Sequence, residues 1–114
     1  MFNIFEPKPF KFESFNSKLN AQIYFDKHYP TGSNVYILLN DLKKVGCHWS
    51  GGKRGEIERD WWPKEDFEYS GMYGCEYCNS LFSLDPFERY VITIYTNEND
   101  EIIQVYIAKH FLWA

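Results

Sequence analysis

Between Glu88 and Lys109, two arms of alternating apolar residues flank the turn-forming run Asn97-Glu98-Asn99-Asp100. β-Branched and aromatic side chains dominate both arms, which predicts a β-hairpin. Side chains alternate across a strand, so Tyr90, Ile92 and Ile94 share one face with Ile103, Val105 and Ile107. The other face, with Val91, Thr93, Tyr95, Gln104, Tyr106 and Ala108, is more mixed. A two-stranded ribbon with one apolar face needs cover to be stable. The helical periods upstream supply it. Val35, Leu38, Leu39, Leu42 and Val45 fall on one stripe of an amphipathic helix, with Lys43 and Lys44 in its last turn and Gly46 as its stop. Before it, Phe15, Leu19 and Ile23 recur every fourth residue with Phe25 beside them. This predicts a first helix capped by Ser14 or Ser17 and ended before Pro30. Tyr29-Pro30-Thr31-Gly32-Ser33-Asn34 is a short turn in which Ser33 can cap the second helix, so the two helices should form a hairpin.

The remaining segments lack so clean a period. Residues 1–13 carry Phe2, Ile4, Phe5, Phe10 and Phe12 around Pro7 and Pro9, which reads as an extended arm whose rings pack onto the domain. Residues 47–68 are glycine-rich and charged, and read as a long loop of the kind that is usually functional or disordered. Tyr69 to Cys78 alternates weakly and supplies a third strand, and Asn79 to Phe87 leads through Asp85-Pro86 into the hairpin. The expected fold is α+β, a single domain over 1–114. It has an arm (1–13), a helical hairpin (14–46), a long loop (47–68) and a three-stranded antiparallel sheet (69–109) with the hairpin on one face, in the order ααβββ.

Composition refines this picture without redirecting it. A chain of 114 residues that is 45% hydrophobic fits one globular domain with a real core. Aromatics make up 20% of it, more than such a core usually absorbs, so some rings are expected at the surface as contact residues. A net charge of −4 argues against nucleic acid or an anionic membrane as the main partner and is compatible with a basic protein. The first residues show no basic stretch followed by an apolar run, and no window reaches the ~18 apolar residues of a membrane span, so the expected compartment is the cytoplasm. Cys47, Cys75 and Cys78 are then expected as reduced thiols.

Cys47, His48, Cys75 and Cys78 are four nominal zinc ligands, but an adjacent Cys-His pair is not a structural-zinc spacing. A redox role for Cys75-x-x-Cys78 would need a helix N-terminus, whereas this segment reads as a strand. Gly51-Gly52-Lys53-Arg54-Gly55 lacks the spacing of a phosphate loop and reads as a flexible linker. No nucleophile elbow or dinucleotide fingerprint occurs, His28, His48 and His110 lie in different elements, and the expectation is a non-enzyme without a cofactor. What remains is Glu56, Glu58, Asp60, Trp61, Trp62, Glu65, Asp66, Glu68 and Tyr69, followed by Tyr73. Large rings desolvate well and can anchor a partner, while carboxylates around them steer a basic one. The competing role is a solvated loop pinned to the core by its tryptophans.

Tyr29-Pro-Thr-Gly-Ser33 opening a helix, the helix end at Gly46-Cys47, and Cys75-Glu-Tyr77 followed by Tyr90-Val-Ile-Thr-Ile94 resemble the BamE-like (SmpA/OmlA) two-helix, three-strand fold. That resemblance implies an assembly module for membrane proteins. As a small, acidic, aromatic-rich chain, the protein also resembles immunity proteins of bacterial toxin systems, particularly contact-dependent growth inhibition. Such proteins bind a cognate toxin domain, often a basic nuclease, and block it. The expected function is stoichiometric neutralisation of a toxin through residues 56–69. The alternatives are a BamE-like module, an inhibitor from a phage or mobile element that acts on a host protein, and a zinc- or thiol-dependent protein.

Overall fold

A computed structural model describes residues 9–15, 17–56, 62–78 and 88–111. After a short 3-10 turn at Phe12–Ser14 come α1 (Lys18–His28) and α2 (Val35–Lys44), then β1 (Trp49–Lys53), β2 (Gly71–Cys78), β3 (Glu88–Thr96) and β4 (Ile102–Phe111). The fold is α+β. Among the described residues its sheet has four antiparallel strands in the order β1-β2-β3-β4, where the sequence pattern predicts three. The additional strand lies inside the expected loop of 47–68. Its sequence, Trp-Ser-Gly-Gly-Lys, has no apolar period because backbone pairing with β2, not side-chain burial, makes it a strand. Gly51 is required there: its φ is 131°, and a Cβ would collide with the backbone carbonyl of Met72.

The centre of the sheet has the expected register. Ile92 lies between Cys75 and Ile107, and Ile94 between Tyr73 and Val105, all of them buried. The register shifts beyond Tyr95, so Thr96 pairs with Ile102. This bulge buries Ile102 and leaves Ile103 half-exposed, correcting the face expected for the second arm. At the turn, the Asn97 side-chain carbonyl accepts from the backbone N–H groups of Asn99 and Glu101, and Asp100 takes the left-handed conformation at φ 62°.

α2 matches its pattern, with Val35, Leu38, Leu39, Leu42 and Val45 all buried. Its cap is Asn34, whose side chain accepts from the Tyr36 N–H at 2.8 Å, and not Ser33, whose carbonyl accepts from the Ile102 N–H. Gly46, at φ 88°, ends the helix, with Cys47 N–H bonded back to the Leu42 carbonyl and Gly46 N–H to that of Lys43.

α1 is capped by Ser17, but the stripe expected on it is not the buried one. Leu19 and Ile23 are 66% and 56% exposed, while Ala21 and Phe25 are buried. The reason is a polar contact that apolar periodicity does not register. The Gln22 amide donates to the Val105 carbonyl at 2.7 Å and accepts from the Ile107 N–H at 2.9 Å, so the helix turns that face toward the outer edge of β4. α1 therefore lies against β4 and α2 against β1. Tyr29, at the end of α1, ties the helices together by donating to Asp41 at 2.7 Å.

The arm packs as expected where it is described. Phe10 and Phe12 are buried, and the Phe12 ring stacks on Tyr77 at 4.5 Å and meets Tyr90 at 5.3 Å. Phe2, Ile4 and Phe5 lie outside the described residues.

Candidate functional site

The helices cover one face of the sheet, and the segment Trp62–Ser70 crosses part of the other. It does so because Tyr95, on the mixed face of β3, offers an aromatic platform. Phe67 and Tyr69 meet Tyr95 edge-on at 5.3 and 4.7 Å, and Tyr106 lies beyond at 5.9 Å. Edge-to-face contacts of this kind add to the burial of the rings themselves. The Tyr95 hydroxyl donates to Glu65 at 2.7 Å, and the Tyr69 hydroxyl donates to the Pro63 carbonyl. Burial first, then the Glu65 hydrogen bond, pushes the Tyr95 hydroxyl well above its ordinary value, so it remains a donor.

Arg54, just past β1, completes the arrangement. Its guanidinium lies 4.8 Å from the centroid of Trp62 and 4.5 Å from that of Tyr69, within cation–π range of both rings. Its backbone N–H is held by the Ser70 carbonyl at 2.8 Å. Lys53 pairs with Asp100 at the hairpin turn at 3.1 Å, and this hydrogen-bonded contact raises the lysine's pKa and keeps it charged. The glycine-rich basic run expected as a linker is thus a strand end with two engaged cations.

Between these elements lies an open groove of about 770 Å³, lined by Arg54, Trp62, Glu65, Glu68, Tyr69 and Glu98 among others. Of the residues singled out from sequence, Trp62, Glu65, Glu68 and Tyr69 come together in it. Glu56 and Asp66 are exposed but do not line it. Glu58, Asp60 and Trp61 lie outside the described residues. Tyr69 is buried and Trp62 half-buried, so one ring works as a support and the other as part of the wall. Tyr73 points to the opposite face, into the core under the helices. Sequence reasoning missed Arg54, Phe67 and Glu98. No periodic signal could have found Arg54 or Glu98, because the β1–β2 and β3–β4 pairings bring them to the groove from distant stretches of chain.

The groove brings carboxylates from two segments, Glu65 and Glu68 with Glu98, beside aromatic walls that already hold a guanidinium, and Lys64 also lines it. Its described lining contains no histidine or cysteine that could pair with Ser70 for nucleophilic chemistry. Among the described residues no cluster of three or more His, Cys, Asp or Glu is placed to hold a metal ion. No described helix is long and apolar enough to cross a membrane. The chain matches no family model, no curated protein and no solved structure.

Proposed function

We propose that the protein is a cytoplasmic binding module that neutralises a basic toxin domain by stoichiometric association, in the manner of an immunity protein of contact-dependent growth inhibition. The observation that carries this reading is the groove itself, where Glu65, Glu68 and Glu98 surround a wall built by Trp62 and Tyr69. Glu65 and Tyr69 are held in place before any partner arrives, so little ordering entropy opposes association. The exposed carboxylates steer a positively charged surface and suppress acidic competitors. A nuclease domain fits, because the surface that holds a phosphate backbone is basic and a cluster of carboxylates can occupy it in place of the substrate.

The test is protection of growth during co-expression with a basic toxin domain sought among the genes adjacent to this one, with calorimetry on the purified pair. Wild-type protein is expected to protect and to bind one-to-one. Reversing two of the exposed groove carboxylates, Glu68→Lys with Glu98→Lys, is expected to weaken binding at least tenfold while the circular dichroism spectrum stays the same. Full affinity in that double variant would remove this groove from the interface. Failure of the wild-type protein to protect or bind would remove the function.

A further inference from the structure

We infer that Cys47 and Cys75 form an oxidisable pair that closes into a disulfide, covalently joining the end of α2 to the middle of the sheet. Their Sγ atoms lie 2.6 Å apart, so an approach of roughly half an ångström reaches the about 2.05 Å of an S–S bond. Neither position is left to chance. The glycine turn after α2 fixes Cys47 through its N–H bond to Leu42, and Cys75 sits at the centre of β2 between Trp49 and Ile92. Both residues are buried, and both are free thiols in the structure. They lie in the core under the helices, and neither lines the groove.

Burial also determines when the bond forms. The Cys47 contact and the loss of water both favour the protonated Cys75 thiol, and exchange requires a thiolate with access to its oxidant. Closure therefore occurs during folding or on transient opening, with a small-molecule disulfide of the glutathione class as oxidant. One protein thiolate attacks that disulfide, forming a mixed disulfide and releasing one small thiol. The second protein thiolate then attacks the protein-side sulfur and expels the other small thiol. Two protein thiols and one small disulfide become one protein disulfide and two small thiols, and two electrons pass to the oxidant. The closed ring takes in β1 and Trp62–Ser70, and its cysteines are 28 positions apart.

The experiment unfolds the reduced full-length chain and refolds it in oxidised and reduced glutathione, followed by non-reducing peptide mapping and thermal melting. The expected result is a peptide linking Cys47 to Cys75, with two hydrogens lost. The midpoint should rise by roughly 10 °C over the reduced protein, as for a ring of this length. Cys78→Ser is expected to change neither result, which separates this pair from a Cys75–Cys78 bridge. A map showing Cys75 joined to Cys78, or natively folded protein in which all three thiols remain open to alkylation, would overturn the inference.

Discussion

Phe12 and Leu19 are both large apolar residues of the N-terminal third, and the fold treats them in opposite ways. Phe12 is fully buried, stacked on Tyr77 and against Tyr90, whereas Leu19 stands in solvent on the far side of α1. Truncating Phe12 removes a ring from a packed cluster and leaves a cavity, so Phe12→Ala is expected to cost about 3–5 kcal/mol. Leu19→Ala exchanges one good helix former for another at an exposed site and should stay within about 0.5 kcal/mol. Urea unfolding of the two variants measures the contrast directly. Equal losses would mean that Leu19 is packed in solution. The sequence places both against the domain, Phe12 by way of the arm and Leu19 by way of a repeating stripe, and only the first of these expectations holds.

Among the elements, legibility follows the kind of force that makes each one. α2 and the β3–β4 hairpin are built by burial of regularly spaced apolar side chains, and their faces can be read from spacing, apart from the bulge that exchanges Ile103 for Ile102. β1 is built by backbone pairing against β2, and its glycines look like a linker until the strand beside them is known. The site divides in the same way. Trp62, Glu65, Glu68 and Tyr69 are recognisable as a local run of acids and rings, while Arg54, Tyr95 and Glu98 join them only through the strand pairing. Gly51→Ala tests whether β1 depends on close backbone approach. The new Cβ would need an unfavourable φ and would also strike the Met72 carbonyl, for an expected loss of about 2–4 kcal/mol. Gly55 has a similar φ of 93° but open space around it, so Gly55→Ala should cost only about 1–2 kcal/mol. If the two variants melt alike, crowding between β1 and β2 is not what selects glycine at position 51.

For the molecule as a whole, buried hydroxyls and a thiol set how stability responds to alkali. Tyr29, Tyr73 and Tyr95 are all held above their ordinary value of 10.0. In each case burial is the first cause, and hydrogen bonds to Asp41, Tyr36 and Glu65 follow. Cys75 is likewise held above its ordinary value of 9.0, chiefly by its contact with Cys47. The fold thus favours the protonated forms, and the unfolded chain releases those protons first as pH rises. Stability from these groups is fully present below about pH 9 and falls progressively above it as the unfolded chain ionises. Urea midpoints are therefore expected to be level from pH 7 to about 9 as far as these groups are concerned, then to drop steeply toward pH 11. A level profile to pH 11 would show that these groups ionise as readily in the folded protein as in the unfolded one.

The cover over β4 has a consequence for how copies of this chain can meet. Thr31 donates to the Ile103 carbonyl, and Gln22 takes the Val105 carbonyl and the Ile107 N–H, so three of the outward-facing groups of this stretch are already bonded within the molecule. A fibril that grows by adding sheet to sheet needs two open edges on every subunit, one to receive and one to offer. With the middle of this edge already engaged, edge-to-edge growth through β4 must first break those bonds. A single glutamine and a threonine, both polar and neither in the hydrophobic core, thereby act as retarders of chain growth in the polymer chemist's sense.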